Sequence, residues 1–181
     1  MTIAVLCGGV GAARFLRGLL QVEHPAGITA IVNVGDDALL AEGDPAVYAE
    51  AIHRARLAWC AMAVGTGQAV LDYVIPYVNE RHAFGEPISH RQAVAFTVSD
   101  IAIELEGMRL TTLRAASLAD QGKPFGEATA IARQLCATKG MAIGSHGVQL
   151  LGGHGYVKEH PVERWYRDLR GAGLVEGGLV A

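Results

Sequence analysis

Long apolar runs are missing from this sequence. No stretch approaches the ~20 consecutive apolar residues that a membrane helix needs, so no membrane span is expected. Basic residues are also scarce. Fifteen Lys and Arg stand against eighteen Asp and Glu, a net charge of -3 with the signs interspersed, which leaves no electrostatic footprint for nucleic acid. Cysteine is limited to Cys7, Cys60 and Cys136, far apart and outside any CxxC spacing. They read as buried or surface thiols in a reducing compartment and not as disulfide staples or metal ligands. The amino terminus has no basic stretch leading into an apolar one and a small-residue cleavage site. Secretion is therefore not expected, and a cytoplasmic location is. His82, His90, His146, His154 and His160 show no HExxH-type spacing, and no serine sits in GxSxG. No metal and no serine nucleophile are expected.

What is present is apolar content. At 51% apolar over 181 residues, with a mean hydropathy of +0.27, the chain can bury a core as one domain, or one domain plus a fragment. The composition changes character near Glu42-Gly43-Asp44-Pro45. Before that point, Ile3-Ala4-Val5-Leu6-Cys7 predicts a strand, Gly8-Gly9-Val10-Gly11 a turn, residues 12–20 a helix, and Ile28 to Val34 a second strand. Residues 1–42 thus read as a short βαβ, Rossmann-like fragment. Its glycine run either converges backbone amides on an anion, with Arg14 adding charge, or is simply a tight turn.

From about Pro45 to the end, residues 45–181, the pattern is helical. Leu57, Ala61, Val64, Gln68, Leu71 and Ile75 predict one stripe at alternating spacings of four and three. Val94, Val98, Ile101, Leu105, Met108, Thr112 and Ala115 predict a second, and Ala128, Ile131, Leu135, Thr138 and Ala142 a third. Pro76 predicts a kink or an early stop in the first helix. Gly85-Glu86-Pro87 and Asp120 to Pro124 predict the connections, and a shorter fourth helix should start near Pro161. The predicted architecture is mainly α, an antiparallel up-and-down helical bundle preceded by the βαβ fragment.

The most informative stretch runs from Gln149 to Glu176. Gln149-Leu150-Leu151-Gly152-Gly153-His154-Gly155-Tyr156 is a glycine-rich break after a helix, Glu163-Arg164 and Arg167-Asp168 follow at pairing spacing, and Glu176 ends the series between Val175 and two glycines. Glycines let backbone approach a phosphate, or merely end a helix. Arg81 offers a planar fork suited to a diphosphate, or is a solvated charge at a helix end. Phe84 is ordinary packing or a cofactor contact, and Gln92 and Gln149 are amides able to bond cofactor edges. Glu176 is a solvated carboxylate, or a base if desolvation raises its affinity for a proton.

Residues 45–181 resemble the carboxy-terminal helical domain of the acyl-CoA dehydrogenases. The likeness is carried in order by Tyr77 to Ile88 (YVNERHAFGEPI), His90-Arg91-Gln92, Gln149 to Tyr156, and Glu163 to Asp168 followed by Glu176. This resemblance implies FAD as cofactor, with Arg81 on the diphosphate of a neighbouring subunit's flavin and Phe84, Gln92, Gln149, Gly152 and Gly153 around it. It implies Glu176 as the base that takes the α-proton of an acyl-CoA thioester while hydride leaves the β-carbon. The alternative base position, on the first bundle helix, falls close to Ala55, which has no carboxylate. The family's Glu-Gly-Thr is Glu176-Gly177-Gly178 here, so one hydroxyl contact is missing. Residues 1–40, with Gly8 to Leu16 and Val32 to Asp37, resemble the start of 2-phospho-L-lactate transferase. Most of that family's active site has no counterpart here, so transferase activity is not expected. The expected function is therefore an FAD-dependent acyl-CoA dehydrogenase domain that forms a homodimer or homotetramer through its bundle. The alternatives are a non-catalytic helical association module and a remnant phosphate-binding transferase fragment.

Overall fold

The computed structural model describes residues 3–7, 28–32 and 45–175. Two strands come first, β1 (Ile3–Cys7) and β2 (Ile28–Val32), paired in parallel with Ile3 opposite Ile28 and Cys7 opposite Val32. Parallel neighbours require a crossover between them. The glycine run at 8–11, the helix expected over 12–20 and Asp36-Asp37 all lie outside the described residues. Of the expected βαβ fragment the parallel pair is seen, and a Rossmann-like unit is not shown.

Four helices follow: α1 (Pro45–Glu80), α2 (Gln92–Asp120), α3 (Gly126–Leu151) and α4 (Val162–Ala172). Between α1 and α2 lies a small hairpin, β3 (His82–Ala83) and β4 (Glu86–Pro87), and a 3-10 turn, Ile88–His90. A second 3-10 turn, Gly152–Tyr156, joins α3 to α4. His53 of α1 meets Phe125, at the start of α3, at one end of the bundle. At the other end the Tyr77 hydroxyl of α1 reaches the Leu151 carbonyl of α3. Helices α1 and α3 therefore run the same way, with α2 returning between them. The up-and-down expectation holds for these helices.

The stripe expected for α2 is the buried one, with Ile101, Leu105, Met108, Thr112 and Ala115 all buried. The other two stripes need correction. On α1 the buried face is Cys60, Ala63, Val70, Val74 and Val78, while the predicted Ala61, Gln68 and Ile75 face solvent. On α3 it is Thr129, Ala132, Cys136, Gly140, Ile143, Gly144 and Gly147, while Ile131 and Thr138 are exposed. The reason is small residues. Helix α3 packs against α1, α2 and α4, and its glycines allow close approach. A Cβ on Gly144 would lie 3.0 Å from the Tyr166 Cα, and one on Gly147 would lie 2.8 Å from Val70 Cγ1. A stripe chosen for bulky apolar residues misses a face built by leaving side chains out.

Pro76 does not end α1, which continues to Glu80. Proline removes one amide donor, and the turn on either side keeps the helix going. Helix α1 is also long and apolar enough to cross a membrane by length and composition, contrary to the expectation of no such segment. Its buried face packs on α2, α3 and α4, as the central helix of a bundle does.

Cys60 and Cys136 are free, buried thiols on facing helices, as expected. The Cys136 thiol points to the Cys60 carbonyl at 3.9 Å. A hydrogen bond with Cys136, and then burial, push the Cys60 thiol far above its ordinary value of 9.0. Folding therefore favours the protonated thiol. That contribution is complete below pH 9.0 and is lost progressively as pH rises beyond it, because the unfolded chain ionises there. The same bond holds the Cys136 thiol below its ordinary value, so the two thiols act in opposite directions on stability at high pH.

Candidate cofactor groove

The end of the bundle where α1 and α3 finish and α2 begins is open. Local structure explains the opening. The Arg81 amide closes α1 on the Tyr77 carbonyl at 2.9 Å, and the Arg81 carbonyl accepts from the Ile88 amide at 2.9 Å. The hairpin is thereby folded back beside α2. Its tip is Phe84 (φ 56) and Gly85 (φ 86), both left-handed. For phenylalanine that conformation costs roughly 1–2 kcal/mol, yet the ring is 94% exposed. Its contact is the Arg91 guanidinium, 5.6 Å from the ring centroid, which Glu86 holds in turn at 3.1 Å.

Across the gap, α3 ends at Leu151, and Gly152 takes φ 59 and ψ -132, a region that glycine adopts freely. Neither Gly152 nor Gly153 has any atom within 4 Å of where a Cβ would stand, so backbone faces open space. The result is a groove of ≈ 630 Å³ lined by Tyr77, Arg81, Phe84, Arg91, Gln149, Gly152, Gly153 and His154 among others. The lining contains two arginines and no carboxylate. Among the described residues Arg81 makes no ion pair, so its fork is available to an incoming anion.

Five of the residues singled out in the sequence, Arg81, Phe84, Gln149, Gly152 and Gly153, therefore meet in one place, although up to 72 positions separate them. Gln92 does not join them. It is exposed on the first turn of α2, where its neighbours Arg91 and Ala93 face the groove and it does not. Arg91, Tyr77 and His154 were not singled out as site residues. Each lies inside a string that carried the family resemblance, which is the signal that could have found them.

Glu176 lies outside the described residues. The residue before it is held firmly. Arg133, 6% exposed on α3, donates from Nη2 to the Val175 carbonyl at 2.5 Å. A Cβ on Gly173 would lie 2.9 Å from the Ala137 Cβ, so the chain leaving α4 runs tightly along α3. Val175 also borders a second cavity of ≈ 410 Å³, with Trp59, Met62, Ala63, Asp168 and Ala172. On α4 itself Glu163 and Arg167 pair at 2.9 Å, as their spacing predicts. Among the described residues no group of three or more His, Cys, Asp or Glu could hold a metal ion.

A four-helix bundle with an aromatic-tipped groove at one end, lined by two arginines, suits an anionic, planar ligand. Comparison with known proteins makes this specific. The family model "Acyl-CoA dehydrogenase, C-terminal domain" matches residues 46–178. Short-chain specific acyl-CoA dehydrogenase, mitochondrial, of Rattus norvegicus is 43% identical over 122 residues, covering 67% of this chain and 30% of its own. The structure of butyryl-CoA dehydrogenase from Megasphaera elsdenii superposes with a TM-score of 0.73 at 30% identity, over 78% of this chain and 38% of that one. An FAD complex of PigA superposes with a TM-score of 0.63 at 25% identity, over 66% of this chain and 31% of that one. The chain belongs to the acyl-CoA dehydrogenase family and carries its C-terminal domain. It spans 30% of the length of the rat enzyme. The likeness of residues 1–40 to 2-phospho-L-lactate transferase is not borne out, since the matched region begins at residue 46.

Proposed function

We propose that this chain supplies the helical bundle of an FAD-dependent acyl-CoA dehydrogenase, an oxidoreductase that desaturates acyl-CoA thioesters at the α and β carbons. The observation that carries the reading is the convergence of Arg81, Phe84, Gln149, Gly152 and Gly153 on one groove. The groove fits the cofactor in kind. Arg81 offers a donor fork for a diphosphate, Phe84 an exposed ring for a planar system, and the Gly152-Gly153 backbone a close approach for phosphate oxygens. Bound FAD supplies the hydride acceptor. On the protein side, the Glu176 carboxylate takes the α-proton. It can do so near neutral pH where apolar surroundings raise its proton affinity.

Two features support a role in an assembly. Val175 and Ala63 border the same cavity, whereas Arg81 lies 18 residues further along α1. At ~1.5 Å per residue that is about 27 Å, farther than one cofactor reaches from its diphosphate to its reactive ring. A flavin whose diphosphate lies at Arg81 would then not reach the cavity beside Val175 in the same subunit. The outer face of α2 also exposes Phe96, Ile103 and Leu110 at seven-residue spacing, a suitable stripe for a second copy in a homodimer or homotetramer.

Titrating FAD with purified protein tests the reading. Saturable but weak quenching of flavin fluorescence is expected. Reduction of a dye acceptor on adding acyl-CoA would extend the reading from cofactor binding to turnover. Absence of any saturable FAD binding would overturn the proposal.

A further inference from the structure

Beside the groove sits a cluster that the dehydrogenase reading does not use. The Tyr77 hydroxyl lies 2.9 Å from His154 Nδ1, and the Tyr73 hydroxyl lies 2.7 Å from His160 Nδ1. The two imidazoles stack on each other, centroids 5.4 Å apart and planes 24° from parallel. The Tyr77 ring stands edge-on to both, and Tyr73 is buttressed edge-on by Trp165 of α4. Two tyrosines one helical turn apart on α1 thus grip one histidine from the turn after α3 and one from the approach to α4.

Each ring is held by the same nitrogen, and that determines what the other nitrogen offers. A phenol has one proton to give. Tyr77 has two acceptors in range, His154 Nδ1 at 2.9 Å and the Leu151 carbonyl at 3.5 Å. The 2.9 Å contact is the strong one, and it is made whichever of the two atoms donates. With Tyr77 as its donor, His154 Nδ1 is the acceptor, which in a neutral imidazole places the hydrogen on Nε2. His154 is exposed and lines the groove with Arg81 and Arg91.

The geometry points to His154 as a further cofactor-binding residue: its Nε2–H donates to an acceptor oxygen of the ligand, and Tyr77 is the positioning residue that fixes the tautomer. His160 stacked behind it, itself bonded to Tyr73, keeps the ring from rotating. The chemical class of the acceptor is a phosphate or ring-carbonyl oxygen, consistent with a lining that carries positive charge and no carboxylate. This rests on the FAD reading of the groove.

Two measurements test it. In long-range proton–nitrogen correlation spectra, taken where the ring is neutral, His154 should carry its proton on Nε2, and Tyr77→Phe should release it to a mixture of tautomers. In FAD titrations, His154→Ala should weaken binding about fivefold and Tyr77→Phe about threefold. Arg81→Ala serves as reference. A proton on Nδ1 of His154 overturns the inference. So does unchanged affinity in His154→Ala when Arg81→Ala binds weakly, and in that case the groove reading stands. If no protein in the set binds FAD, the groove reading itself fails and the inference falls with it.

Discussion

Gly155→Ala should melt about 10 °C below the wild-type protein. A Cβ at this position would collide with the Val148 carbonyl oxygen and lie 2.8 Å from the Val148 Cα. Both are backbone atoms of α3, so neither can swing aside as a side-chain end would. The turn after α3 must lift away, or the helix must distort. Overpacking of this kind costs about 3 kcal/mol, and at ~2–4 °C per kcal/mol for a chain of this size the melting point moves by roughly 10 °C. Circular dichroism melts decide the matter. Gly153→Ala, where a Cβ meets nothing within 4 Å, is the control and should melt close to the wild type. Similar melting points for the two variants would mean that the turn does not sit on α3 as described.

Arg81→Ala has the largest expected effect on ligand binding. Among the described residues Arg81 pairs with no carboxylate, so its removal breaks no ion pair and should leave the fold intact. Its value lies in the fork offered to a diphosphate. Losing charge-assisted hydrogen bonds of that type costs about 2 kcal/mol, or roughly thirtyfold in affinity. FAD titration with Arg81→Ala and Arg81→Lys measures it. Lysine keeps the charge but not the fork, so it should recover part of the loss. Affinity unchanged in Arg81→Ala would remove the diphosphate from this end of the groove.

How far the sequence discloses this molecule depends on residue size. Helix α2 is legible because Ile101, Leu105 and Met108 are large and sit on the buried face. Helices α1 and α3 are legible as helices, but their packing faces are not. There the contacts run through Ala63, Gly67, Ala132, Gly140 and Gly144, which carry little weight in a reading of apolar periodicity. Arg133 was missed for the complementary reason, since a charge within an apolar helix face reads as exposed and here is buried.

The site shows a similar division. Family resemblance located Arg81, Phe84, Gln149 and the Gly152-Gly153 pair, which the fold brings together at the groove. It placed Gln92 on the right turn of α2, but one position away from the groove-facing residues. The Tyr77–His154 contact spans 77 positions and is invisible to any local pattern. Glu176, expected from the sequence as the base, lies outside the described residues.

Pro76 carries a mechanical consequence. It lies on α1 between the cavity beside Trp59 and Ala63 and the groove beside Arg81. With no amide hydrogen there, the Asp72 carbonyl loses its usual partner one turn back, and the helix is more compliant at that point than along its rigid lower half. Val74 and Val78, buried on either side of Pro76, tie this turn into the core, so packing anchors the groove end of α1 where one backbone bond is absent.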